Sequence, residues 1–175
     1  MLIKKTLVLG LGNDLRGDDG IAFIVVEKIK DLLHGQYSGC IDTDCVDIEN
    51  TISSGINLLS YFVRYEKIIL VDSFFVNDEL QKHKYLRLND KELCGISNIG
   101  IKTSHGLGIN NTIGIVNALY DCTKKQIILF LIGIEKPKDH YVETVCNKIS
   151  KELLELVPNL CENIINDLKG GNAHG

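Results

Sequence analysis

Residues 7–24 read LVLGLGNDLRGDDGIAFI, and the fold turns on how this stretch is read. An apolar run from Leu7 to Leu11 gives way to a turn rich in glycine. Two adjacent carboxylates, Asp18 and Asp19, then stand where an amphipathic helix begins. The order strand, glycine turn, helix resembles a phosphate loop of the dinucleotide-binding type. The charges oppose that reading, because a phosphate needs bare backbone N–H groups at the helix N-terminus, not two fixed negative charges. Carboxylates at that position suit a cation, so the turn reads as one arm of a metal site.

Outward from this stretch, strands alternate with helices. Leu2–Leu11 reads as a buried first strand. Ile21, Ile24, Val25, Ile29, Leu32 and Leu33 recur at helical spacing, and Gly35 supplies the stop. A carboxylate accepts the orphan N–H groups at a helix start, and Asp18 is the residue expected to cap this one. Cys40–Ile48 reads as a second strand and Ile52–Tyr65 as a helix. Lys67–Val71 reads as a short apolar strand ending at Asp72, and Lys82–Leu88 as an edge strand with polar residues interleaved. Asp90–Ser104 is loop-like, Gly106–Tyr120 fits a helix, and Gln126–Ile134 is a further buried strand. Pro137–Ile149 is expected to be a loop. Ser150 is the expected N-cap of a last helix through Leu168, which Pro158 should kink or split. Continuously apolar strands alternating with helices imply an α/β fold, a three-layer sandwich in which a mostly parallel twisted sheet carries helices on both faces.

Composition sets the outer bounds. At 175 residues, with no internal repeat or shift in composition, the chain is expected to form one domain over 1–169, with 170–175 a frayed tail. A formal net charge of -4 offers no basic surface for nucleic acid. No apolar run reaches the ~18 residues that span a bilayer, and the N-terminus leads straight into a strand rather than a signal peptide. The six cysteines form no C-x-x-C pair, which fits reduced thiols in a cytoplasmic protein better than a zinc knuckle or a redox motif. A monomer is expected.

Ligands of open α/β sheets bind outside the carboxyl ends of the strands. Three groups should converge there: Asp19 after the first strand, Asp72 at the end of IILVD, and His105 at the entry to the helix that begins near Gly106. Two carboxylate oxygens and an imidazole nitrogen suit zinc, nickel or a similar first-row cation. Each residue also has a plainer role. Asp18 or Asp19 can serve only as a cap, Asp72 can accept loop N–H groups, and His105 can be an ordinary polar residue at a helix start. The three together, at equivalent strand ends, carry the metal reading. Other candidates are weaker. Gly10 and Gly12 match the first two positions of G-x-G-x-x-G, but the third is Leu15, and no acidic ribose ligand follows beside a second strand. Asp42, Asp44 and Asp47 read as a solvated face. His34 and His83 read as surface residues, and His140 lies in a loop. No G-x-S-x-G surrounds Ser53, Ser54 or Ser104, and no cysteine has an identifiable base.

GLGNDLRGDDG, residues 10–20, resembles the opening motif of the hydrogenase maturation endopeptidases, G-x-G-N-x-L-x-x-D-[DE]-G. The resemblance continues in order through IILVDS around Asp72, SHGLGINNTIGIVNAL from Ser104, IILFLIGIEKP from Ile127, and SKELLELVPNLCENII with its interior proline. It implies an α/β sandwich. It also implies removal of a short C-terminal extension from the large-subunit precursor of a nickel–iron hydrogenase after nickel insertion. The family's three metal-contacting positions fall on Asp19, Asp72 and His105, the set already reached from the strand ends. Nickel would arrive with the precursor, and the free protein would hold none or a zinc-like divalent ion. The chain departs from the motif at Ala22, where a glycine is frequent, and at Asp19, where many members carry Glu. Asp72-Ser73 replaces the usual Asp-Ala, which reads as a mild change, and residues 48–55 only loosely resemble the family's Gly-rich second loop. Two other readings stand beside this one: a nickel- or zinc-binding sensor or delivery module that cleaves nothing, and a nucleotide-binding enzyme built on the Gly10–Gly12 turn.

Overall fold

The computed structural model describes residues 6–53, 55–76, 81–89, 92, 125–135 and 148–170. Its described strands are β1 (Thr6–Leu11), β2 (Val46–Thr51), β3 (Lys67–Val76), β4 (Tyr85–Asn89) and β5 (Gln126–Glu135). Its described α-helices are α1 (Ile21–His34), α2 (Leu59–Arg64) and α3 (Lys151–Gly170). The strands form one sheet in the order β2-β1-β3-β5-β4, parallel except for β4, which pairs antiparallel with β5 at the edge.

Strand side chains alternate across the sheet, so each strand feeds two cores. Val8, Ile69, Val71, Ile128, Phe130 and Ile132 face α1 and α3, which bring Ile21, Val25, Ile29, Leu153, Leu160 and Ile164. Leu7, Leu9, Ile68, Leu70, Leu129 and Leu131 face the other way, onto Leu58, Phe62 and Tyr65 around α2. Helices therefore cover both faces, and the expected three layers are present. Both helices of the first core are amphipathic, with buried residues at three- and four-residue spacing.

Several element boundaries differ from the sequence reading. The expected strand at Cys40–Ile48 begins only at Val46 and runs to Thr51. Before it, Asp42 accepts the Asp44 N–H at 3.2 Å and caps a short 3-10 turn over Thr43–Cys45, which postpones the strand. The expected helix at Ile52–Tyr65 is a 3-10 segment, Gly55–Leu58, followed by the short α2. The C-terminal end of α2 is held by the Lys125 ammonium, which donates to the carbonyls of Phe62, Val63 and Tyr65. The edge strand starts at Tyr85 instead of Lys82, after a turn in which His83 takes φ 55°. Pro158 does not split the last helix, which is continuous to Gly170; the proline lies on its exposed side, where water can serve the carbonyl deprived of its donor. Residues 1–5, the segments 90–91 and 93–124 (with the expected loop and the helix Gly106–Tyr120), most of the expected loop at 137–149 and the tail 171–175 lie outside the described residues.

One further difference bears on the site. β3 does not stop at Val71. Its register with β1 ends at Gly10↔Val71, but β5 continues to pair with it as far as Val76↔Glu135. Beyond Val71 the sheet therefore forks: β1 leaves as the glycine turn while β3 and β5 run on together. Asp72 and Ser73 are the first residues of β3 past the fork.

Candidate functional site

The turn that follows β1 is built by close backbone approach. A Cβ on Gly12 would lie 2.5 Å from the Asp19 carbonyl oxygen, and one on Gly20 would lie 2.9 Å from the Asp14 Cα. Gly17 takes φ 60°, a conformation that glycine adopts without the penalty a side chain incurs. These glycines let residues 12–20 fold back tightly, so that the 3-10 segment Gly17–Gly20 sits over the end of the sheet. Several N–H groups of the turn are already engaged. Gly12 donates to Thr51 O at 3.4 Å, Asn13 to Asp19 O at 3.3 Å and Arg16 to Asn13 O at 3.0 Å. Leu15 donates to Asn13 Oδ1 at 3.0 Å. A phosphate would find these donors engaged and Asp19 beside them, which counts against the nucleotide reading.

Asp18 and Asp19 take different partners. Asp18 does not cap α1, whose N-cap residue is Gly20 with no side-chain cap. Its Oδ1 accepts the Ser150 N–H at 2.7 Å, at the start of α3. The carboxylate thus serves a helix N-terminus, where the helix dipole favours a negative charge, but it is the last helix and not the first. Ser150 stands where the N-cap was expected, immediately before Lys151, yet its hydroxyl has no hydrogen-bond partner among the described residues.

Asp19 turns inward and is 4 % exposed. Its Oδ1 accepts the Ser73 hydroxyl at 2.6 Å. Asp72 and Ser73 are both 0 % exposed, and the Ser73 N–H donates to Asp72 Oδ1 at 2.8 Å. Ser73 therefore touches both carboxylates, one through its side chain and one through its backbone. Burying a carboxylate costs several kcal/mol even after relaxation, roughly what two fully buried leucines contribute. Two such groups meeting at one fork of the sheet are therefore candidates for chemistry.

The sequence reading placed Asp19, Asp72 and His105 at this end of the sheet. The structure brings Asp19 and Asp72 to Ser73; His105 lies outside the described residues. Among the described residues, no three His, Cys, Asp or Glu side chains gather as a metal-binding group. The two buried acids supply oxygen donors of the kind a divalent cation takes. Ser73 is the residue that the three-residue set leaves out: its hydroxyl bonds to Asp19. The signal present in the sequence was a second polar residue following Asp72 inside the run IILVDSFFV.

Of the weaker candidates, Asp42 and Asp44 are exposed and Asp47 is half-buried, accepting the Tyr65 hydroxyl at 2.8 Å. His34 is exposed and His83 half-buried. Among the described cysteines, Cys40, Cys45 and Cys161 are free thiols, and burial pushes the Cys161 thiol up to about 11.

A sheet of this order with acids at its fork defines an α/β sandwich, and solved structures share it. The chain is similar to the hydrogenase maturating endopeptidase HybD from E. coli, with a TM-score of 0.70 and 19% identity over 96% of this chain and 94% of that one. It is also similar to the [NiFe] hydrogenase maturation protease HybD from Thermococcus kodakarensis, with a TM-score of 0.64 and 18% identity over 93% and 97% of the two chains. For the [NiFe] hydrogenase maturation protease HycI from Thermococcus kodakarensis KOD1 the TM-score is 0.62, at 20% identity over 95% and 93%. The fold is therefore the one these maturation proteases have, along nearly the whole length of each chain, in line with the resemblance carried by the motifs. No protein-family model matches the chain, and no curated relative does. Among the described residues no helix is long and apolar enough to cross a membrane.

Proposed function

We propose that this protein is a hydrogenase maturation endopeptidase, which removes the C-terminal extension of the nickel-loaded large-subunit precursor of a nickel–iron hydrogenase. The observation that carries the reading is the pair of buried carboxylates, Asp19 and Asp72, meeting at Ser73 where the sheet forks. The fold shared with maturation proteases and the ordered motifs support it. Nickel enters as part of the substrate, already held by the precursor. Asp19, Asp72 and His105 complete its coordination and so dock the precursor in one orientation. The scissile bond is then held beside the acids, and positioning supplies much of the acceleration. Hydrolysis adds water across that peptide bond, leaving a new carboxylate on the large subunit and a free amine on the released extension. Selectivity follows from the grip: a precursor without nickel presents nothing for the three residues to bind. The reading places the reaction in the cytoplasm, with no nucleic acid or membrane as partner.

Intact-mass analysis tests this directly. Nickel-loaded precursor from the same source, incubated with the protein, should lose a C-terminal fragment, and metal-free precursor should keep its mass. Asp19→Ala and His105→Ala should each slow the cleavage by about 100-fold or more, since small misplacements of a docked substrate already cost that much. A nickel-loaded precursor of unchanged mass would remove the peptidase reading and favour a nickel- or zinc-binding module.

A further inference from the structure

We propose that Ser73 is a positioning residue for Asp19: its hydroxyl fixes the rotation of that carboxylate, so that Asp19 meets the cation through one oxygen. The inference rests on the proposed function above and assigns to the same site a residue that the three-residue set leaves out.

The geometry begins with the strand. Ser73 lies in β3 between Asp72 and Phe74, paired with Ile132 of β5, so its backbone is held by the ladder. A side chain on such a backbone has few ways to move, and this one is fully buried. Its Oγ stands 2.6 Å from Asp19 Oδ1, the length expected of a hydroxyl donating to a carboxylate in a charge-assisted bond. Asp19, by contrast, comes from a turn with no ladder to hold it. Its backbone is tied by the bonds from Asn13 N–H to Asp19 O and from Asp19 N–H to Arg16 O, at 3.3 and 3.4 Å. Those bonds place the Cα and leave the carboxylate free to rotate. Ser73 supplies the missing restraint from the most rigid element nearby.

The chemistry follows from where the proton goes. A hydroxyl donating to Oδ1 takes up acceptor capacity on that oxygen and biases the carboxylate toward binding a cation through Oδ2. Partners that orient a ligating group in this way typically change metal affinity or activity by about 10- to 100-fold when removed. Because Ser73 also donates its N–H to Asp72 Oδ1, one residue sets the spacing between the two acids.

The test compares Ser73→Ala and Ser73→Thr with the native protein and Asp19→Ala. Three readouts are taken: cleavage of nickel-loaded precursor with kcat and KM separated, zinc affinity of the free protein by calorimetry, and melting temperature. The expected result is a loss of about 10- to 100-fold in kcat/KM and in zinc affinity for Ser73→Ala. Ser73→Thr, which keeps the hydroxyl, should recover most of both, with melting temperatures close to native. Should Ser73→Ala melt early, Ser73→Cys, which keeps the volume and weakens the donor, is measured in its place. Native cleavage and zinc affinity in the hydroxyl-free variant, beside an inactive Asp19→Ala, would overturn this inference alone. Equal impairment of Ser73→Thr and Ser73→Ala would overturn it too, by making packing the cause. An Asp19→Ala variant as active as native would overturn the inference and the proposed function together.

Discussion

Gly12 shows how little room the turn leaves. Its missing side chain is occupied by the Asp19 carbonyl oxygen, which a Cβ would approach to 2.5 Å. Backbone, not a flexible side chain, is the obstacle, so relief requires the whole segment Gly17–Gly20 to shift. Gly12→Ala should cost about 1–3 kcal/mol in urea unfolding, the range for overpacking. On the proposed function, it should also displace Asp19 and lower precursor cleavage more than stability alone explains. Gly10 differs: a Cβ there would meet the Asn50 side-chain oxygen at 2.3 Å, a group that has some freedom to turn away. At this scale the two acids were legible in the sequence, because a charged pair at a helix start and an Asp ending an apolar run are both costly and visible. Their partners were not. Asp18 bonds to Ser150 across 132 positions and Asp19 to Ser73 across 54, and no local pattern records such contacts.

Among the elements, those with a strong local signal were read correctly. α1 ends at Gly35, whose N–H returns to Asp31 O, and β5 runs from Gln126 as its apolar run requires. The failures have physical causes outside the segment. β3 looked finished at Asp72 because its apolar run ends there, yet β5 supplies ladder partners as far as Val76. α2 looked longer because Ile52–Tyr65 keeps helical spacing, whereas Ile52 is 69 % exposed and belongs to neither of the two cores described. At the far end of the sheet, β4 and α3 are joined by a fork-shaped pair: Arg87 meets Asp167 at 2.6 and 2.8 Å, and Lys67 donates to the Asp167 carbonyl at 2.6 Å. Asp167 stabilises the two cations against each other. Asp167→Ala should therefore destabilise the protein by about 1–2 kcal/mol in urea unfolding, more than an isolated surface pair. On the proposed function, cleavage of the precursor should stay at the native rate, since the acids lie at the opposite end of the strands.

For the molecule as a whole, the alkaline limit of stability has an identifiable contributor. Burial pushes the Tyr65 hydroxyl up to about 12, and Asp47, which accepts its hydrogen bond, and Glu49 push the same way. In the unfolded chain the group titrates near its ordinary 10.0. Between those values the unfolded state has lost the proton that the folded state keeps, so stability present below pH 10 declines as pH rises toward 12. Lys67, whose ammonium is pulled down by burial, has the opposite slope, which is why the informative comparison is with Tyr65→Phe. The melting temperature of that variant should fall less steeply than native across this range. An identical slope would assign the alkaline loss to other groups.

Strand β2 has a consequence for how copies of the molecule meet. It forms one margin of the sheet, and its outward row of backbone donors and acceptors is unmatched by any strand among the described residues. Such a margin is an invitation to templated stacking between chains. The segment reads VDIENT, with acidic residues at 47 and 49. Two molecules joining along it would bring carboxylates against carboxylates, and the repulsion acts as a gatekeeper. The protein can therefore be concentrated while this flank resists fibril growth.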